Sequence, residues 1–218
     1  MLCRSALLLA SLWGMAGAQT PPDSPNLTGP LTIVLRGNSA ISTEALNAMQ
    51  REVEALVEPS SIRVAWTSNT TGAEVYDRVA VVRIRGDCRV DAPVLMTTRT
   101  EKQGAEPLAQ TQVVDGDVLP FAAVRCDAVR SLIGRDLALQ PSYEREDLFG
   151  RALGRVLAHE LYHILLRTTR HGTEGLARPA QSSADLLADR DSFAPADERK
   201  LSRSSSFETS DSFASNGR

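Results

Sequence analysis

The segment Leu157-Ala158-His159-Glu160-Leu161-Tyr162-His163-Ile164-Leu165-Leu166 carries the pattern on which the reading of this chain turns. Leu148, Ala152, Leu153, Val156 and Leu157 recur at helical spacing around it, so the whole stretch is predicted to be one long helix. Pro141 marks its start, Ser142 is the expected N-cap, and Glu144, Glu146 and Asp147 suit the positive end of the helix dipole. The helix is predicted to run to about Leu166 or Thr168. Gly150 and Gly154, four apart, share a face, and either permit close packing of a neighbour or are merely tolerated in the helix. Residues i and i+4 of a helix also lie one above the other. His159 and His163 therefore project together, and both imidazoles can point at one metal ion. Glu160 follows the first histidine and is offset toward the open side of that ion, where a carboxylate can take a proton from water.

A zinc site with catalytic potential has three protein ligands and an open fourth position. His171, eight residues past His163, is the candidate for the third, and Gly172 is expected to assist the turn that brings it back. The full pattern is H-E-x-x-H-x7-H, and it contains every histidine of the chain. Asp185 is a carboxylate that can close the site as a fourth ligand. A closed site would be structural rather than catalytic. Tyr162 and Arg170 flank the ligands. Each can stabilise an oxyanion, or serve only as a core residue (Tyr162) and a solvated loop charge (Arg170).

The rest of the chain sets the context. Arg4 gives a short positive start, Ala6 to Trp13 is apolar, and Ala16-Gly17-Ala18 offers small residues for cleavage, the three parts of a secretory signal peptide over residues 1–18. The apolar run is too short to span a bilayer, and no later stretch approaches ~20 apolar residues, so no transmembrane helix is expected. The predicted destination is periplasm, cell surface or medium. Cleavage near Ala18 removes Arg4 and no acid, moving the formal charge of the 218-residue chain from −3 to −4. Such a balance argues against a nucleic-acid binder. The mature chain keeps Cys88 and Cys126, a pair that an oxidising compartment would join. Asn26 and Asn69 lie in glycosylation patterns that matter only in a eukaryotic host.

Residues 19–30 read as a flexible leader, residues 31–199 as one domain, and the Ser-rich residues 200–218 as a disordered tail. Strands are predicted over Leu31–Arg36, Ser61–Trp66 and Val79–Arg85, the last nearly continuous in apolar residues and so central. Leu46, Met49, Val53, Leu56 and Val57 form a helical stripe that Ser42 or Thr43 can cap and Pro59 stops. Val94–Thr98 is a further strand candidate. Gln112–Pro120 reads as two short strands around the turn Asp115-Gly116, the second running on toward Cys126. Leu137–Pro141 is a connection, and Ser183–Leu187 one or two helical turns.

From Leu31 to Arg178 this order of elements, ending in the motif helix, resembles the zincin metallopeptidases. The resemblance is specific over His159–His171. It implies an α+β fold, a twisted mixed sheet backed by helices, with one zinc ion held by His159 and His163, and Glu160 as general base. The branch most similar is the metzincins, H-E-x-x-H-x-x-G-x-x-H, whose third ligand is also histidine. Here Leu166 stands in the place of the glycine, Thr169 in that of the third histidine, and His171 comes two residues late. The methionine turn of that branch is absent, the last methionine being Met96. The resemblance also leaves a zincin with a glutamate-type third ligand, for which Glu174 is rather near and Asp185 and Glu198 are better separated. The resemblance implies a secreted zinc endopeptidase acting on peptide or protein substrates, with an edge strand in the Gln112–Pro120 region receiving the peptide as an added strand. The alternative is a non-catalytic exported module that keeps the fold and a structural zinc.

Overall fold

The computed structural model describes residues 29–37, 40–68, 75–91 and 107–207. The elements run β1 (Leu31–Arg36), α1 (Thr43–Val57), β2 (Val64–Thr67), β3 (Val79–Arg85), β4 (Ala109–Val114), β5 (Asp117–Arg125), α2 (Cys126–Ala138), α3 (Arg145–Leu166), α4 (Ser183–Leu187) and α5 (Pro195–Phe207). The architecture is α+β with a mixed sheet of order β2-β1-β3-β5-β4. The first four strands in that order are parallel to one another, and β4 runs antiparallel to β5 at the edge. As the apolar run Val79–Arg85 predicts, β3 is central. Its Ala80, Val82 and Ile84 enter the core, and Arg83 and Arg85 alternate to the outside.

The core lies between the inner face of the sheet and the helices. Leu31 and Ile33 of β1 and Ala122 and Val124 of β5 meet Met49 and Val53 of α1 and Leu153, Leu157 and Leu161 of α3 there. Fourteen residues of α3 are buried, from Phe149 to Ile164, because neighbours enclose it on nearly every side. Gly150 and Gly154 set the approach of α1. A methyl group at Gly150 would collide with the Ala45 carbonyl oxygen, and one at Gly154 would lie 2.8 Å from that of Met49. Arg155, 1% exposed, pairs through Nε with Glu52 Oε1 at 2.7 Å and so ties α3 to α1. Breaking such a buried pair strands a charge.

Several expectations change. Helix α3 starts at Arg145, not behind a Ser142 cap. The Glu144 N–H donates to Pro141 O, closing a turn that takes Ser142 out of capping position. The second strand starts at Val64, because Ser61 (φ 59°) ends a tight 3-10 turn at Glu58–Ser60. The segment from Cys126 to Ala138, expected as strand at its start and connection at its end, is helix α2, whose Val129, Ile133 and Leu137 face the core. The chain from Lys200 to Phe207, expected to be disordered, is the second half of α5, and Leu201 is fully buried. Leu201 and, one turn earlier, the buried Asp197, which accepts from the Tyr162 hydroxyl, hold that helix where the sequence shows mostly serine. The Asp115-Gly116 turn stands as expected, with both residues at positive φ, but β4 begins earlier, at Ala109.

Cys88 and Cys126, both fully buried, meet at disulfide distance with Cα atoms 4.9 Å apart. They join the chain after β3 to the start of α2. The signal peptide, the leader up to residue 28, the Val94–Thr98 strand, both glycosylation patterns and the tail beyond Phe207 lie outside the described residues. Among the described residues no helix is long and apolar enough to cross a membrane.

Candidate metal centre

His159 and His163 sit one turn apart near the end of α3, and the Nε2 atoms of their rings are 3.2 Å apart. Each ring is oriented from behind. His159 Nδ1 lies 2.8 Å from the Leu176 carbonyl oxygen, and His163 Nδ1 lies 2.7 Å from that of Thr168. A carbonyl only accepts, so each Nδ1 carries the proton and each Nε2 presents a lone pair. Carbonyl support of this kind fixes ring and tautomer in metal sites.

A left-handed residue makes the arrangement possible. Arg167 takes φ 46°, ψ 45°, and the Thr168 N–H then donates to the His163 carbonyl at 3.1 Å. A non-glycine residue there stores strain of about 1 kcal/mol. The turn reverses the chain, brings Thr168 O under His163 and returns His171 to the other two rings. The His171 ring centroid is 5.2 Å from that of His159 and 4.7 Å from that of His163. One nitrogen from each histidine falls within 4.8 Å of the others, and the three form a cluster able to hold a metal ion. Tetrahedral zinc sets nitrogen ligands about 3.3 Å apart. The His159–His163 spacing already has that value, and closure needs only a small shift of the exposed His171 ring. Gly172 does not supply the turn, since its φ is not positive. It is small because Asp197 of α5 packs against it, while its N–H donates to Ala177 O at 2.8 Å.

Glu160 is buried and lines the same cleft, with Oε2 accepting from the Thr111 hydroxyl of β4 at 2.6 Å. Burial pushes its carboxyl pKa up, and the Thr111 bond opposes that shift in part. Burial also pushes all three histidines down toward the neutral, ligating form, with the like charges of neighbouring imidazoles adding to the effect at each. A cleft of about 550 Å³ opens over the histidines between β4 on one side and Arg178–Gln181 on the other, with Val113, Val118, Leu132 and Val156 making its floor and walls apolar.

The other candidates are elsewhere. The Asp185 carboxylate caps α4, accepting from the Ser182 N–H and hydroxyl, and pairs with Arg178. Glu174 is exposed, and neither it nor Glu198 joins the histidine cluster. Tyr162 belongs to the core. It is 3% exposed, stacks on Phe193 and donates its hydroxyl to Asp197. Arg170 is exposed on the loop. Thr111, Leu176 and Gln181, whose Nε2 donates to the Leu176 carbonyl at 3.1 Å, carry no signal in the sequence pattern. Leu176 and Thr168 act through backbone carbonyls, which leave no sequence signal, and Thr111 lay one residue before the strand as predicted. No protein-family model, curated protein or solved structure matches the chain.

Proposed function

We propose that the chain is an exported zinc-dependent endopeptidase of zincin type, with His159, His163 and His171 as the zinc ligands and Glu160 as the general base. The observation that carries this reading is the pair of opposed Nε2 lone pairs at 3.2 Å, each braced by a carbonyl behind it, with His171 beside them and the Glu160 carboxylate in the same cleft. Two lone pairs so close repel each other, and a cation between them removes the repulsion. When bound, zinc supplies a Lewis acid that polarises a carbonyl and lowers the pKa of water to about 7.

The remaining chemistry belongs to the chain. Glu160 takes a proton at its carboxylate and returns it to the leaving amine. A base needs a pKa near the working pH, and burial moves Glu160 in that direction. Thr111 holds the carboxylate from the strand side. The outer edge of β4 ends the sheet among the described residues and runs along the cleft, so an extended peptide can add to it as a further strand. The apolar walls exclude water from such a peptide. The closely placed Cys88 and Cys126 and the N-terminal sequence support export.

The structural-zinc alternative needs a fourth protein ligand. Asp185, the residue named for it, is engaged by Ser182 and Arg178, and the cluster holds three histidines alone among the described residues. This favours the catalytic reading. Cleavage of a mixed peptide pool that is abolished by a chelator and restored by one equivalent of zinc is the expected result; cleavage indifferent to the chelator would rule the reading out.

A further inference from the structure

We infer that Arg178 is a specificity determinant of the cleft, a fixed guanidinium that receives a carboxylate of the bound peptide. The inference rests on the peptidase reading for the nature of the occupant. Among the described residues lining the cleft, Arg178 is the one lysine or arginine and Glu160 the one carboxylate. Apolar side chains of Val113, Leu132, Val156 and Pro179 share that lining with neutral polar ones such as Gln110, Thr169 and Gln181. An ionic contact in such a place is screened less than on an open surface.

The guanidinium is held in advance. Arg178 Nε donates to the Gly175 carbonyl at 3.1 Å, and Nη2 pairs with Asp185 Oδ1 at 2.9 Å. Asp185 is itself locked at the N-cap of α4 by the Ser182 N–H (2.8 Å) and hydroxyl (2.7 Å). Gly175, at φ 60°, packs so closely on Ser192 and Ala194 that no side chain fits there. Two of the five guanidinium N–H donors are thus used for positioning, and the side chain keeps 39% of its surface exposed. An arginine already held in place loses less entropy when it binds than a free one. A carboxylate is the complementary group, planar and able to accept two parallel N–H bonds.

A carboxylate can come from an Asp or Glu side chain or from the C-terminus of the peptide. Binding of fluorescent peptides to Glu160→Gln protein in zinc-containing buffer, where nothing is cleaved, separates the two. One pair of peptides differs as Glu against Gln inside the sequence, the other as free acid against amide at the C-terminus. The acidic member of at least one pair is expected to bind about tenfold tighter, and the pair that shows it names the source. The preference should vanish in Arg178→Gln and weaken in high salt. The comparison between peptides in the Glu160→Gln protein that keeps Arg178 stands even if that variant fails to fold. Equal affinity within both pairs overturns the inference, as does a preference that survives Arg178→Gln; the peptidase reading outlives either result if the wild-type protein cleaves these peptides. Failure of every peptide to bind overturns both.

Discussion

Nε2 of His159 faces Nε2 of His163 across 3.2 Å, and the opposite nitrogen of each ring is bonded to a main-chain carbonyl. The two rings cannot relieve each other by tautomer exchange without breaking a carbonyl bond. A titration calorimeter should therefore find one zinc ion per chain. His159→Ala and His163→Ala should abolish binding. His171→Ala should weaken it by on the order of a hundredfold, because two ligands and the helix frame remain. A stoichiometry unaffected by all three substitutions would place the ion elsewhere.

The packing of α1 on α3 depends on an absent side chain. Alanine is the better helix former by about 1 kcal/mol, so propensity alone predicts that Gly150→Ala stabilises. A methyl group there meets the Ala45 carbonyl oxygen, a backbone atom that cannot swing away. Overpacking of this kind costs about 1–3 kcal/mol, and the net effect should be a loss of up to about 2 kcal/mol in urea unfolding. Gly154→Ala should cost less only because its overlap is milder: the new methyl would lie 2.8 Å from both the Met49 carbonyl oxygen and Glu52 Cβ, atoms that cannot swing away.

Asp185 links the α4 cap to Arg178. Bonds from the Ser182 hydroxyl and N–H, then from Arg178, hold its carboxyl pKa down to about 2. A depressed folded pKa means that the stabilisation is fully present above the unfolded value of about 3.9 and is lost as pH falls through about 2. Carboxyl resonances followed by NMR should show Asp185 titrating near 2. Asp185→Asn should remove the part of the acid destabilisation that falls in that window. A midpoint near 4 would mean that the bonds to Ser182 and Arg178 do not hold in solution.

How far the sequence could be read depended on whether the signal was periodic. The near-continuous apolar run Val79–Arg85 marks a strand inside the sheet, the stripe from Leu46 to Val57 marks a helix with one buried face, and both elements lie where they were expected. The three histidines were legible for the same reason, with i, i+4 spacing for two and a return loop for the third. Helix α2 was legible in principle, through Val129, Ile133 and Leu137, but its first residue was absorbed into the preceding strand. The α5 helix was hidden because only one apolar side chain, Leu201, and one buried carboxylate, Asp197, hold it, while the serines around them match the composition of a disordered tail. Least legible were the groups that orient the site. The carbonyls of Leu176 and Thr168 belong to no residue type, and the left-handed turn falls on Arg167, where glycine or asparagine would have announced it.

The central claim is that Glu160 moves a proton at a zinc site built by the three histidines. Glu160→Gln keeps the shape and the Thr111 contact while removing the base. Peptide hydrolysis by this variant, measured alongside its zinc content, tests the claim most directly. Expected is one zinc per chain with the rate lowered by at least about 10²–10⁴-fold. Full activity with zinc still bound would contradict it.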